Sequence, residues 1–210
     1  MSVRKGVSKL PSEKRFEGEI ENYMTSPKGG WTKGSSANFN PRLALDSVEL
    51  MAWIKDTQSD KLQELRNRRN NDVEQKFIER VAQELDNRGT LDVLRHGVTD
   101  LGVEFQMCQF KPAGALNPDL VELYQKNRLT VTRQVHFSTT TNESIDMCLF
   151  VNGIPVATAE LKELLTGQNV KDAIIQYKAR DNKEKLFNFK TRALVHFAVD
   201  PNDVYMTTRL

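Results

Sequence analysis

Cysteine and histidine are scarce in this chain, long apolar runs are missing, and net charge almost vanishes. Its 210 residues carry two cysteines, Cys108 and Cys148, and three histidines, His96, His136 and His196. Two thiols cannot build a disulfide framework, and neither stands at zinc-ligand spacing from a partner. Both are expected as buried free thiols in a reducing compartment. The histidines are too scattered to form a ligand motif, and His136 and His196 fall in strand-like segments as core-edge residues. No apolar run approaches the roughly 20 residues that cross a bilayer. The start, M-S-V-R-K-G-V-S-K-L, is basic but lacks the apolar core of a signal peptide, so a cytoplasmic, membrane-free protein is expected. A net charge of +2 gives no field that announces a nucleic-acid binder. The basic runs Arg66-Asn67-Arg68-Arg69 and Lys183 to Lys190 have acidic neighbours and read as solvated faces.

What remains is ordinary globular composition, 39% hydrophobic and 28% charged, and a pattern that changes along the chain. Residues 12–24 read as an amphipathic helix capped by Ser12, with Phe16, Ile20, Tyr23 and Met24 on its apolar stripe. Residues 25–40, rich in Gly, Ser, Asn and Lys, read as a loop. Within it, Gly29 to Ser35 fails as a phosphate loop, because Ser35 stands where the lysine belongs and a helix precedes it. Residues 42–56 and 59–87 follow as helices, Val103 to Phe110 as a strand, and Pro118 to Lys126 as a short helix after Asn117. From Leu129 the period shortens to two. Leu129 to Phe137, Ile145 to Val151 and Ile154 to Lys162 read as consecutive strands. Arg133 and Gln134, on the first of these, read as polar residues at a sheet edge. A helix capped by Asn169 runs to about Arg180, with Val170, Ala173, Ile174 and Tyr177 on one face. A strand from Ala193 to Val199 comes next, and Tyr205 to Leu210 is strand-like.

The expected fold class is therefore α/β: a mixed central sheet flanked by helices, with a β-β-β-α-β core. We expect one domain over 1–210, with a mainly helical part over 12–127 and the sheet core over 128–210. Strands apolar on both faces, such as Ile145 to Val151, imply a sheet covered on both sides.

The densest chemistry lies in S-I-D-M-C-L-F-V-N-G-I-P-V-A-T-A-E-L-K. Asp146 and Glu160 stand on adjacent strands, and Lys162 shares the face of Glu160 by strand alternation. Two carboxylates so placed suit Mg²⁺, which takes hard oxygen ligands and usually only one or two protein carboxylates. A neighbouring lysine could touch a water or phosphate oxygen, an arrangement suited to phosphodiester hydrolysis. Asn152-Gly153 marks the hairpin turn, and two registers are open. A two-residue turn pairs Val151 with Ile154 and puts Asp146 opposite Ala159, facing away from Glu160. A three-residue turn with a bulge at Gly153 pairs Phe150 with Ile154 and puts Asp146 opposite Thr158, diagonal to Glu160 on one face. Function requires that second register, or some equivalent one-residue shift.

An Asp, a turn, a Glu-x-Lys on the next strand and a following helix form a pattern that resembles the PD-(D/E)xK nuclease superfamily. The phrases L-T-V-T-R-Q-V-H-F-S, N-E-S-I-D-M-C-L-F-V-N-G-I-P-V-A-T-A-E-L-K, L-T-G-Q-N-V-K-D-A-I-I-Q-Y and A-L-V-H-F-A-V-D-P-N-D-V-Y-M-T-T-R-L together resemble the N-terminal endonuclease domain of the R subunit of type I restriction enzymes. The resemblance is clearest over residues 125–210. It implies a Mg²⁺-dependent DNA endonuclease domain with Asp146 and Glu160 as metal ligands and Lys162 positioning or activating the attacking water. It also implies a helix glutamate completing the metal site, Glu17 by spacing and Glu21 after it. The parent subunit would carry an ATP-driven DNA translocase (helicase) motor beyond Leu210. It would act on double-stranded DNA together with modification and specificity subunits. Related nucleases often carry Gln four residues before Tyr on the next helix. Here position 173 is Ala and Gln176 directly precedes Tyr177, which leaves the supporting roles of Gln176 and Tyr177 open. The same carboxylates would serve a repair or recombination nuclease, and a non-catalytic subunit-docking module would leave them idle.

Overall fold

The computed structural model describes residues 11–114, 116–163, 167–181 and 183–210. The basic start and the side chain of Ser12 lie outside what is described. The chain opens with helix α1 (Pro11–Met24), the short strands β1 (Thr32–Lys33), β2 (Phe39–Asn40) and β3 (Leu45–Asp46), and helices α2 (Ser47–Thr57), α3 (Ser59–Arg68), α4 (Val73–Arg88) and α5 (Thr90–His96). A small hairpin, β4 (Val98–Asp100) with β5 (Val103–Phe105), and helix α6 (Pro118–Gln125) follow. The second part runs β6 (Leu129–His136), β7 (Ser144–Val151), β8 (Ile154–Leu161), α7 (Val170–Ala179), β9 (Val195–Val199) and β10 (Val204–Thr207).

The main sheet has six strands in the order β1-β6-β7-β8-β9-β10. Its centre, β6 to β8, is an antiparallel meander, whereas β1 joins β6 and β9 joins β8 in parallel. The parallel β8–β9 step needs a crossover, and α7 supplies it. The expected mixed α/β sheet is the one observed.

Each face of the sheet has its own cover. On one, Val131, Met147 and Leu161 pack against Phe16, Ile20 and Met24 of α1. Tyr23, expected on that apolar stripe, points out to solvent instead. On the other face, Cys148, Phe150 and Ala198 meet Val170, Ala173 and Tyr177 of α7. The small side chains of Ala173 and Ala198 let the helix lie close to the sheet. Helices α2 to α5 surround a separate core of Trp53, Leu65, Phe77 and Leu85, entered by Ile154 at the hairpin turn.

Two expected elements are shorter than the pattern suggests. The predicted helix over 59–87 is two helices, broken between Arg68 and Val73, where Asp72 adopts φ 56°. Charge-rich stretches such as N-R-R-N-N-D-V keep a helical look even where the chain turns. The strand predicted over 103–110 ends at Phe105 and pairs only with β4. Asn169 caps α7 as expected: it accepts from Lys171 N, and Asp172 closes the box by accepting from Asn169 N.

Candidate active site

The hairpin sets the geometry of the site. Val151 pairs with Ile154, so the turn has two residues, with Asn152 at φ 50° and Gly153 at φ 79°. Positive φ at both central positions is the requirement that Asn-Gly satisfies best. Asn152 is fully buried; it accepts from Arg128 N at 2.7 Å and donates to the Met107 carbonyl at 2.9 Å. A Cβ at position 153 would stand 2.2 Å from the Asp46 carbonyl oxygen, so only glycine fits against the start of α2.

The three-residue turn that would have served the site is therefore absent. The shift comes two residues later and in the other direction. Phe150 pairs with Pro155 but Leu149 with Ala157, so Val156 is an extra residue in β8. Its carbonyl turns toward β9 and accepts from Leu194 N at 2.9 Å. Pro155 has no N–H to give to the ladder, and proline inside sheets is confined to edges and bulges. After the bulge Met147 faces Ala159, the last pair of the ladder; that register carried one step further sets Asp146 against Glu160, and the two carboxylates interact. Directly opposite side chains are nearer one another than diagonal ones.

Asp146 is fixed from two sides. Its Oδ2 accepts from Leu161 N at 2.8 Å, the amide between Glu160 and Lys162, and its Oδ1 accepts from Gln134 Nε2 at 3.2 Å. Glu160 is fully buried at the end of β8. Its Oε1 accepts from Arg180 Nε at 3.2 Å and from Nη2 of the same guanidinium, while among the described residues no donor meets its Oε2. Burial, then the neighbouring Asp146 carboxylate, push its pKa from 4.5 up to about 8, against the pull of Arg180. Lys162 is buried at the strand end, where its N–H donates to the Val199 carbonyl at 2.9 Å. Among the described residues its ammonium has no ion-pair partner.

The two helix glutamates separate cleanly. Glu17 is buried, and its Oε1 accepts from the same Gln134 Nε2 at 2.9 Å that serves Asp146, while its Oε2 accepts from Arg133 Nη2 at 3.0 Å. Glu21 is instead tied to Lys33 Nζ at 2.9 Å and Arg133 Nη1 at 3.5 Å. Tyr177 is core: its hydroxyl meets Thr158 Oγ1 at 2.9 Å, and Thr158 in turn meets His196 Nδ1 at 2.7 Å. Burial lowers the His196 pKa to about 4, which keeps this imidazole neutral. Gln176, half-buried on α7, completes the residues expected near the site.

Three residues matter more than the sequence suggests. Arg133 and Gln134 read as sheet-edge residues, and β1 pairs with β6 only at Thr130 and Val131, which leaves their stretch of β6 with β7 as its one paired strand among the described residues. Gln134 has φ 51°, a left-handed conformation inside a strand, which costs on the order of 1–3 kcal/mol. That kink lets consecutive side chains, Arg133 and Gln134, both reach Glu17. Arg180 follows Tyr177 by three residues, hence on the same side of α7. It binds Glu160, Glu143 and the Ser144 carbonyl, and stacks over the Phe137 ring at 4.9 Å.

Among the described residues, no group of three or more His, Cys, Asp or Glu side chains is arranged to enclose an ion. Arg180 occupies one oxygen of Glu160, and the Gln134 amide stands between Glu17 and Asp146.

The segment with this geometry matches a known family. Residues 41–210 match the family model described as type I restriction enzyme R protein N terminus. The chain belongs to that family. The match takes in the hairpin, Gln134, Lys162 and Arg180, and it begins after α1, the helix that brings Glu17. The comparison with curated proteins found no match. Among the described residues no helix is long and apolar enough to cross a membrane.

Proposed function

We propose that this protein is the DNA endonuclease domain of a type I restriction R subunit, hydrolysing phosphodiester bonds with Mg²⁺ held by Asp146, Glu160 and Glu17. The observation that carries the reading is the nearness of Asp146 and Glu160 past the bulge of the hairpin, close enough for the Asp146 carboxylate to raise the Glu160 pKa, with Lys162 at the strand end. The donor set fits a hard divalent cation. All three groups are carboxylates, and among the described residues no donor meets one buried oxygen of Glu160, which lies near a second carboxylate. Such an oxygen is costly to bury unless a positive charge or a proton meets it.

When bound, Mg²⁺ would act as a Lewis acid on the phosphate and make an attendant water more acidic. The remaining work falls to the chain itself. Lys162 places a positive charge where negative charge grows on the phosphate oxygens, in a water-poor strand end where that charge is felt strongly. The Leu161 amide keeps Asp146 turned toward Glu160. Arg180 holds Glu160 in one orientation and spreads its charge toward Glu143. Contacts to the DNA backbone come from lysines and arginines, so affinity falls as salt rises. Choice of sequence, translocation driven by ATP and partnership with modification and specificity subunits belong to the assembled enzyme.

A second reading is a non-catalytic docking module, favoured by the ion pairs that already neutralise Glu17 and Glu160. Calorimetry with Mn²⁺ and a short DNA duplex separates the two. The endonuclease reading expects binding by the wild type and its loss in both Asp146→Ala and Glu160→Ala. Equal binding in all three proteins, or none in any, favours the docking module.

A further inference from the structure

Gln134 combines two features that a passive strand residue does not need. Its backbone sits at φ 51° within β6, past the point where β1 stops pairing, although a side chain there is strained. Its amide nitrogen donates both to Glu17 Oε1 at 2.9 Å and to Asp146 Oδ1 at 3.2 Å. An amide NH₂ has two hydrogens, so one nitrogen can serve both carboxylates. The other end of the amide is also fixed: Ser144 Oγ donates to Gln134 Oε1 at 3.0 Å. The two carboxylates decide which way the amide points, since a flipped amide would aim its oxygen at them, and the Ser144 hydroxyl then donates to the oxygen left facing it. Ser144 lies on β7 only two residues before Asp146, so the hairpin itself orients the group that reaches α1.

We propose that Gln134 is a positioning residue that joins Glu17 to the hairpin carboxylates and so assembles the third ligand of the site. The proposal rests on the endonuclease reading of the same carboxylates and deepens it. Arg133 also ties Glu17, but its guanidinium binds Glu21 and the Lys14 carbonyl as well and therefore anchors α1 in general. Among the described contacts the Gln134 amide links Glu17 to Asp146. The left-handed kink is the means: it turns residue 134 to the α1 side directly after Arg133, while Val135 enters the opposite core with Ile145 and Tyr177. An acidic side chain at this position would set three negative charges together, and an aliphatic one would remove the amide bridge between helix and hairpin.

The test uses the full chain with Mn²⁺ as the probe, a short DNA duplex present, and calorimetric affinity as the readout. Glycine accepts positive φ without strain, so Gln134→Gly removes the bridge and the backbone cost together. Thermal stability of Gln134→Gly should match or exceed that of Gln134→Ala, while both variants bind Mn²⁺ at least tenfold more weakly than wild type. In a Glu17→Ala background the same Gln134→Gly change should weaken binding by less than threefold, because the ligand it positions is gone. A role in folding alone would make binding follow stability and would give independent, multiplying effects. Wild-type affinity in Gln134→Gly, or multiplying effects in the double variant, overturns the proposal. A wild type that binds no Mn²⁺ overturns the endonuclease reading, and this inference with it, a different outcome from either of those.

Discussion

Asp146 lies against Glu160, one step past the Met147–Ala159 pair that ends the β7–β8 ladder, because Val156 is displaced from the ladder between that pair and the turn. Strand alternation has a period of two, so a one-residue slip moves a side chain to the other face. Without the bulge the two-residue turn would set Asp146 against Ala159 and send the carboxylates to opposite sides. The bulge is therefore as much a part of the site as the carboxylates.

Deleting Val156 should restore a regular hairpin and separate the acids. We expect a folded protein, less stable by about 1 kcal/mol for the lost Leu194–Val156 hydrogen bond, with additional cost from repacking. Its Mn²⁺ affinity should fall at least as far as in Asp146→Ala. Calorimetry beside a thermal melt checks both.

Glu160 gives the chain a pH signature. Its pKa is about 8 in the folded protein against 4.5 as the ordinary value, so the folded state holds the proton over a range where the unfolded state has lost it. The folded state then binds more protons, and stability falls as pH rises from about 4.5 to about 8. Glu160→Gln mimics the protonated form and removes that slope. Without metal, Glu160→Gln should gain on wild type steadily between those values, by on the order of 1.4 kcal/mol for each pH step of one. Melting temperatures across the range measure it, and parallel pH profiles for the two proteins would contradict the assignment.

Arg180 and Glu160 are both buried, and the acid holds a proton below about pH 8 even with its partner in place. Arg180→Met should therefore cost about 1–3 kcal/mol near about pH 6, where Glu160 neutralises itself. The loss should grow toward about 3–5 kcal/mol well above about pH 8, where a buried charge is left unpaired. Urea denaturation at the two pH values measures it.

Tyr177→Phe removes a hydroxyl that meets Thr158 inside the α7 core. The expected loss is about 1 kcal/mol of stability. Mn²⁺ affinity should stay within twofold of wild type, as Tyr177 supports packing rather than the carboxylates. A tenfold loss of affinity would assign it a role at the site.

Much of this architecture is legible in the residues, for reasons that differ by element. The period-two runs from Leu129 to Leu161 give three strands because their faces are buried and alternate, and Asn169 announces α7 by its capping chemistry. Asp146, Glu160 and Lys162 stand out by spacing, and Glu17 is singled out by the helix position that family resemblance suggests. The register is harder to read: Pro155, one residue into β8, is the available signal for a bulge. Gln134 escapes because positive φ at a glutamine has no sequence mark, and its neighbour Arg133 looks like any edge residue. Arg180 escapes because a helix-end arginine is usually solvated. Its burial depends on Phe137, Glu143 and Glu160, which only the fold brings together.

The proposed seat of a divalent cation between Asp146 and Glu160 has one most direct test. Fe²⁺ replaces Mg²⁺, and ascorbate and hydrogen peroxide are added, so that radicals formed at the bound ion cut the nearby backbone. Fragments should end close to residues 146 and 160, with a weaker cut near residue 17. All three cuts should vanish in Asp146→Ala and with excess Mg²⁺. Cuts elsewhere, or the same cuts in Asp146→Ala, would contradict the assignment of the cation to this hairpin.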